Sequence, residues 1–313
     1  LTTKNAMPHL KKTFNALKAT KYSNLKLIVQ DCCSNDGTLE YISKQNQFFD
    51  IDLVSAPDSG IGHAISEAFK RISRVDFVTI IAADEELKEN FFEIHLKQFR
   101  KNPNLLVTYG SVLLINPKTN IKIINKPNLF SLENIITCHT IPPISTCMFN
   151  VKALGGDFSA NEKIKSSPDF ERWIRLALKF PAERFLNIPE LLSVNRMDEV
   201  SNSFTANSYL HHARSKVSSL KMHLDKIRSY KSDLKIEEND LFIDIYVWAA
   251  EMVFNLKGAK QDFVNIVSEA IKEFGNSDKL LKLVSRSDQL LNWVNQGCEG
   301  DLIFKDNSLL NYL

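Results

Sequence analysis

Through the first two hundred residues, short apolar runs alternate with segments of helical periodicity, and acidic residues stand directly after the runs. This pattern constrains the fold more than any other feature, because strands alternating with helices build a parallel sheet covered on both faces. His9 to Ala19 places Leu10, Phe14 and Leu17 on one helical face. Leu25 to Val29 is the continuous apolar run of a strand buried on both sides. The turn cluster Ser34-Asn35-Asp36-Gly37-Thr38 leads into a helix expected to reach Gln47. Asp50 to Ser55 reads as a strand, Ile61 to Ile72 as a helix and Phe77 to Ala82 as a further strand. Asn90 to Arg100 is expected to be helical, and Leu105 to Ile115 extended.

Three acidic groups follow strand ends: Asp31, Asp58 and the pair Asp84-Glu85. In open α/β sheets the ligand crevice lies at the carboxyl ends of the strands. Carboxylates gathered there around a phosphorylated ligand call for a divalent cation between them. Neither GxGxxG nor GxxxxGK[ST] occurs, so the usual dinucleotide and P-loop readings lack their phosphate loops. With 39 basic against 37 acidic residues the net charge is +2, which gives no global attraction to nucleic acid. The most apolar stretch, Leu241 to Leu256, is interrupted by Asp244 and Glu251 and falls short of the roughly 18–20 residues of a membrane span. No charged segment followed by an apolar one marks a signal peptide, and five cysteines without CxxC spacing indicate neither a disulfide framework nor a zinc site. A cytoplasmic location is expected, with Cys32 and Cys33 as small buried side chains and Trp173 and Trp248 in the core.

After Phe204 the alternation stops and helical signals dominate, which divides the chain into an α/β domain over 1–204 and an α-helical region over 205–313. His211 to Lys235 carries seven Lys or Arg residues against Asp225 and Asp233, with Leu220, Leu224 and Ile227 as an apolar stripe. Such a segment suits either an anionic membrane surface or a bundle helix with a solvated basic face. Helices are also expected over Phe242 to Leu256, from Phe263 to Phe274, and over Asp278 to Val294. No catalytic constellation stands out in this region, and packing, homo-oligomerisation or docking is its expected role.

Five segments carry a resemblance. Leu27-Ile28-Val29-Gln30-Asp31-Cys32-Cys33-Ser34-Asn35-Asp36-Gly37-Thr38, Pro57-Asp58-Ser59-Gly60-Ile61 and Ile81-Ala82-Ala83-Asp84-Glu85 are similar to the nucleotide and metal motifs of family 2 glycosyltransferases. Gly155-Gly156-Asp157-Phe158 and Ser167-Pro168-Asp169-Phe170-Glu171-Arg172-Trp173-Ile174-Arg175-Leu176 resemble the later motifs of that family, in its order. The resemblance, covering about Thr2 to Ser203, implies a GT-A (Rossmann-like) fold with a mixed, mostly parallel sheet flanked by helices. It implies an inverting enzyme that moves a sugar from a nucleotide donor, such as a UDP-sugar, to the hydroxyl of a glycan or lipid-linked acceptor. Bacterial polysaccharide or lipopolysaccharide assembly, at the inner face of the plasma membrane, is the setting it suggests.

Carried over residue by residue, the resemblance makes Asp84 the principal ligand of Mn²⁺ or Mg²⁺, with Glu85 beside it. Asp31 accepts a hydrogen bond from the nucleotide base, Asp58 sits near the nucleotide, His63 touches the donor and Arg196 faces the diphosphate. Asp169 is the general base, and His139 lies on the acceptor side. Read by residue type alone, Asp31 is equally a strand-end cap, Asp84-Glu85-Glu86 a solvated helix start, Asp169 an N-terminal helix acid and His63 a surface residue. Asp36-Gly37 reads as a structural turn. Ala82 replaces an acidic or amide position of the metal motif, Pro168 precedes Asp169 where Glu is usual, and Asp198 follows Arg196 where His is common. Two alternatives stay open: a non-catalytic nucleotide-sugar-binding homologue, and a nucleotidyltransferase, which would need a basic Gly-rich loop that this chain lacks.

Overall fold

The computed structural model describes residues 1–20, 22–115, 122–137, 141–164, 166–196, 206–230, 238–257, 260–275 and 277–280. These fall into two units, one of residues 1–135 and 140–201 and the other of residues 136–139 and 202–313. In the first unit the chain runs Thr2–Thr3 (β1), Met7–Ala19 (α1), Lys26–Asp31 (β2), Thr38–Ser43 (α2) and Asp50–Ser55 (β3). It continues through Ile61–Lys70 (α3), Phe77–Val78 (β4), Glu85–Leu87 (β5), Phe91–Lys101 (α4), Val107–Ile115 (β6) and Lys122–Asn125 (β7). Leu132–Ile136 (α5), Met148–Asn150 (β8), Val151–Leu154 (α6), Pro168–Lys179 (α7) and Phe185–Arg196 (β9) follow.

The strands form two sheets among the described residues. β1, β2 and β3 are parallel, with β2 in the middle, as the alternation of the first residues implies. The second sheet has the order β4-β8-β6-β9-β5, with β7 paired to β6, and only its β6–β9 ladder is parallel. β2 is central because Leu27 and Val29 are both buried, and α1 closes over it with Leu10, Phe14 and Leu17. Phe14 meets the ring of Tyr41 edge-on at 5.8 Å and that of Phe49 at 5.9 Å, which ties α1 to the β2–β3 connection. In α7, Trp173 is fully buried and stacks on Phe149 of β8 at 5.7 Å, which fixes the helix that presents Asp169.

Two elements differ from expectation. The helix expected to run to Gln47 is α-helical only to Ser43, and its last turn is 3₁₀. The strand expected over Phe77 to Ala82 pairs only at Phe77–Val78, against β8, and at a single parallel bridge between Thr2 and Ala82. Between these two pairings, the Ile81 carbonyl accepts the Thr2 N–H at 3.4 Å. A cavity of about 340 Å³ lies beside this gap, with Leu25, Leu27, Ile65, Phe69, Phe77 and Met148 in its wall. It reaches the amino-terminal half of β2, whereas the acidic clusters stand at the carboxyl ends.

His95 of α4 gives the fold an acid-sensitive point. It is fully buried, with Nδ1 2.6 Å from the Thr108 hydroxyl oxygen and its ring 4.4 Å from that of Phe91. Burial pushes the imidazole down to about 3. The unfolded chain takes up this proton near the ordinary value of about 6.5 while the folded chain refuses it, so stability is lost as pH falls below 6.5. His95→Gln is expected to lose about 2–3 kcal/mol less than the wild type between pH 7 and pH 4.5. Urea unfolding of both proteins at the two pH values reads the difference.

The second unit holds Ala206–Tyr230 (α8), Glu238–Lys257 (α9) and Lys260–Phe274 (α10). Its core is built from Val217 and Leu220 of α8, Ile245, Tyr246 and Ala249 of α9, and Ile266 and Ala270 of α10. The basic face of α8 is partly spent inside this unit: Arg214 pairs with Glu269 and Lys221 with Glu273 at 3.1 Å, while Lys216 lies 3.4 Å over the Trp248 ring. Trp248 is half-buried rather than fully in the core, because it sits at the helix margin where Lys216 covers it. No helix among the described residues is long and apolar enough to cross a membrane. Of the helix expected over Asp278 to Val294, only the first three residues are described, and His139 and Asp198 also lie outside the described residues.

Candidate active site

Parallel register sets the first acidic residue. Thr3 of β1 is paired with Asp31 of β2, and Asp31 with Ser55 of β3. The Asp31 side chain is fully buried, and its carboxylate accepts the Ser34 N–H at 2.9 Å, the Ser34 hydroxyl, and the Ser55 hydroxyl at 2.6 Å. An ionised carboxylate offers about four lone-pair sites, so the loop itself fills most of them. The next acid, Asp36, joins two loops: it accepts N–H groups from Met7 and Thr38 and the Thr38 hydroxyl at 2.6 Å. Burial pushes this carboxyl up, but the Thr38 hydroxyl and the backbone donors outweigh it and hold the group below the usual range. Asn5 adds to the seam by accepting the Asn35 N–H and donating its own N–H to Ser34.

Cys32 is half-buried and Cys33 exposed, contrary to the expectation of two buried thiols. β2 has ended at Asp31, and at Cys33 the chain turns outward in the left-handed region, with φ 49°. Two thiols therefore flank the crevice rather than fill it.

After β3, Asp58 is half-buried and accepts the Gly60 N–H at 2.9 Å, an Asx turn that starts α3. Gly60 has φ 130°, a conformation that side chains rarely adopt. His63 Nδ1 accepts the Ser59 N–H at 3.2 Å, and Nε2 faces Glu67 at 3.5 Å. The bonds holding Asp58 and His63 stay within this connection and α3. Between them, Gly62 lets α3 approach the 161–164 loop: a Cβ there would lie 2.4 Å from the Ile164 carbonyl oxygen.

The bridge between Thr2 and Ala82 puts the Asp84-Glu85 turn beside β1, and so one strand away from Asp31. Asp84 is half-buried and Glu85 fully buried. Glu85 Oε2 accepts the Ala82 N–H at 2.7 Å, and Oε1 accepts an Asn195 side-chain N–H at 2.9 Å. The Ser145 hydroxyl donates to Asn195 Oδ1 at 3.3 Å and lies 3.0 Å from the Ser193 hydroxyl. Burial first, then the charge of Asp84, push the Glu85 carboxyl up to about 7 against these donors. Glu85–Leu87 is a strand rather than a solvated helix start, antiparallel to β9 in the register Glu85 to Asn195. That register brings Arg196 to Glu86, Nε to Oε1 2.7 Å.

The donor set decides how a cation would be held. No group of three His, Cys, Asp or Glu side chains suited to a metal exists among the described residues. Magnesium-like ions rest on one or two carboxylates plus substrate phosphates and water, not on an all-protein cage, and the Asp84-Glu85 turn fits that mode. Glu85 has both oxygens engaged within the fold, by the Ala82 N–H and the Asn195 side chain.

Asp169 stands in the first turn of α7, half-buried, where the helix dipole favours a carboxylate. Cys147, buried before β8, has its thiol pushed well above its ordinary range by burial. Strand pairing brings the Asp31 loop, the Asp84-Glu85 turn and Arg196 to adjoining strands, while Asp169 stands on α7 and Asp58 and His63 on the connection into α3. Asn195, Ser145 and Arg172 were not singled out from the sequence. Only Asn195 carried a signal, as the neighbour of Arg196.

Residues 1–152 match the profile of glycosyl transferase family 2. No curated protein sequence matches the chain. Among solved structures, S. aureus TarS 1-349 in complex with UDP-GlcNAc superposes with a TM-score of 0.60 at 16% identity, covering 95% of this chain and 90% of that one. The mannosyltransferase PcManGT from Pyrobaculum calidifontis, in complex with GDP-Man and Mn²⁺, gives 0.56 at 13% identity, covering 93% and 79%. At such identities the likeness is one of fold. Residues 1–152 thus carry a glycosyl transferase family 2 domain, on a chain that shares the GT-A fold of these two glycosyltransferases.

Proposed function

We propose that this glycosyltransferase is inverting and metal-dependent, and that it takes its sugar from a nucleotide-sugar donor such as a UDP-sugar. The observation that carries the reading is the pairing of β1 with both β2 and Ala82, which sets the Asp31 loop and the Asp84-Glu85 turn side by side. The Asp31 and Asp36 loops form a rigid rim for the nucleotide, with one acceptor site on Asp31 left for the base. Asp84 holds Mn²⁺ or Mg²⁺, which when bound supplies Lewis-acid neutralisation of the leaving diphosphate. Arg196, anchored by Glu86, adds a fixed positive charge on the same side. Asp169 takes the proton from the acceptor hydroxyl as its oxygen bonds to the anomeric carbon and the carbon–diphosphate bond breaks on the opposite face. The proton ends on Asp169 and the electron pair on the nucleoside diphosphate.

The resemblance extends the proposal to a glycan or lipid-linked acceptor in bacterial polysaccharide assembly. The ion pairs from α8 to α10 favour a bundle over a membrane-lying helix for the second unit. The test is a thermal shift with UDP-GlcNAc, UDP-glucose and GDP-mannose, with and without Mn²⁺. A donor at about one hundred times its Kd is expected to stabilise the protein by about 2.7 kcal/mol, and only when Mn²⁺ is present. Binding without turnover would leave the non-catalytic homologue, and no shift with any nucleotide would end the proposal.

A further inference from the structure

We propose that Asn195, held in turn by Ser145, is a positioning residue that fixes the 82–85 turn so that Asp84 is presented to the divalent cation. The inference rests on the reading of Asp84 as metal ligand given above. Residues 82–85 form a tight turn that its last residue closes twice. The Glu85 N–H donates to the Ala82 carbonyl at 3.3 Å, and the Glu85 carboxylate accepts the Ala82 N–H at 2.7 Å. Thr13 of α1 ties the middle of the turn, its buried hydroxyl donating to the Ala83 carbonyl at 2.8 Å. The backbone on both sides of Asp84 is thereby set before any cation arrives.

The second closure depends on where the Glu85 side chain points, and β9 decides that. Asn195 is the register partner of Glu85 and donates from Nδ2 to Oε1 at 2.9 Å. A side-chain amide has two ends, and only the NH₂ end can donate to a carboxylate. The Ser145 hydroxyl selects that end by donating to Asn195 Oδ1 at 3.3 Å. A hydroxyl carries one proton, so in the 3.0 Å contact between Ser145 and Ser193 it is Ser193 that donates. The bonds therefore run in one direction, from Ser193 through Ser145 and Asn195 to Glu85. Ser145, Ser193 and Glu85 are buried, so water does not replace a lost member and the loss is felt in full. Without Asn195, Oε1 loses this donor, the Glu85 side chain is held by Ala82, and the turn that carries Asp84 loosens. A ligand aimed by its neighbours binds metal more tightly than one that must be ordered on binding.

The test measures Mn²⁺ binding in the presence of UDP and, separately, of GDP, from the spin-resonance signal of unbound Mn²⁺, so that no turnover is needed. It compares the wild type with Asn195→Ala, Ser145→Ala, the double variant and Asp84→Ala in the full chain, each with its Tm in EDTA. Asn195→Ala is expected to raise the Mn²⁺ Kd by about 10–100-fold and Ser145→Ala by about fivefold. The double variant should bind no more weakly than Asn195→Ala, because Ser145 acts through Asn195. A lower Tm with an unchanged Kd would mark a purely structural role and overturn the inference, and losses that add in the double variant would overturn the part given to Ser145. If Asn195→Ala does not fold, Ser145→Ala, which deletes one hydroxyl, decides: a wild-type Kd there sinks the proposal. If Asp84→Ala loses Mn²⁺ while Asn195→Ala binds it as the wild type does, only this inference fails. If the wild type binds no Mn²⁺ with either nucleotide, or Asp84→Ala binds it equally well, the assignment of the metal ligand fails, and this inference with it.

Discussion

Asp169→Asn is expected to lower kcat by about 10³-fold while donor binding stays within twofold of the wild type. The amide keeps the shape of the side chain but has no basicity near neutral pH, so the acceptor hydroxyl must lose its proton to water. General-base catalysis is worth about 10²–10⁴ in rate, and the geometry here allows no substitute. Glu171, two residues on, is bound to Arg175, and Glu85 is enclosed by Ala82, Asn195 and Ser145. Trp173 anchors α7 in the core whichever side chain stands at 169, so the variant should fold as the wild type does. Steady-state kinetics with calorimetric titration of the donor checks both halves of the expectation. A drop confined to KM would assign Asp169 to substrate binding instead.

Asp84→Ala carries the second large effect, again about 10³-fold in kcat, with loss of the response to Mn²⁺. It has a thermodynamic signature of its own. The Glu85 carboxyl is raised to about 7, first by burial and then by the neighbouring charge of Asp84. A raised acid refuses to ionise in the fold while the unfolded chain ionises readily, so stability present below about pH 4.5 is lost as pH rises through 7. Deleting Asp84 removes part of that repulsion. The metal-free variant should therefore be equally stable at pH 5 and more stable than the wild type at pH 8. Differential scanning calorimetry in EDTA at the two pH values separates this from simple damage, which lowers both.

The parts of the site legible in the sequence share one physical origin. Asp31 and Asp84 announce themselves because each follows an apolar run that only a buried strand explains, and parallel strands present their ends on one side. Asp169 is legible only through the resemblance of residues 167–176 to a family motif, since by residue type it reads as an acid at a helix start. What the sequence conceals depends on partners distant along the chain. Glu85–Leu87 is too short for any alternation to mark it as a strand and exists because β9 lies beside it. Phe77 to Ala82 has the composition of a long strand but pairs only where a neighbour is present. Asn195 and Ser145 are small polar residues without periodic signature, and their roles appear only when Asn195 is seen on Glu85 and Ser145 on Asn195.

The position of β9 has a consequence for how the enzyme comes into being. Glu85 leaves the ribosome more than a hundred residues ahead of Asn195, and β9 enters the sheet between β6 and β5. A nascent chain halted anywhere before Arg196 carries the acidic turn without its clamp. Translation at about 5–20 residues per second keeps it in that condition for several seconds at least. Metal affinity should thus arise late and abruptly during synthesis, with the arrival of the last strand.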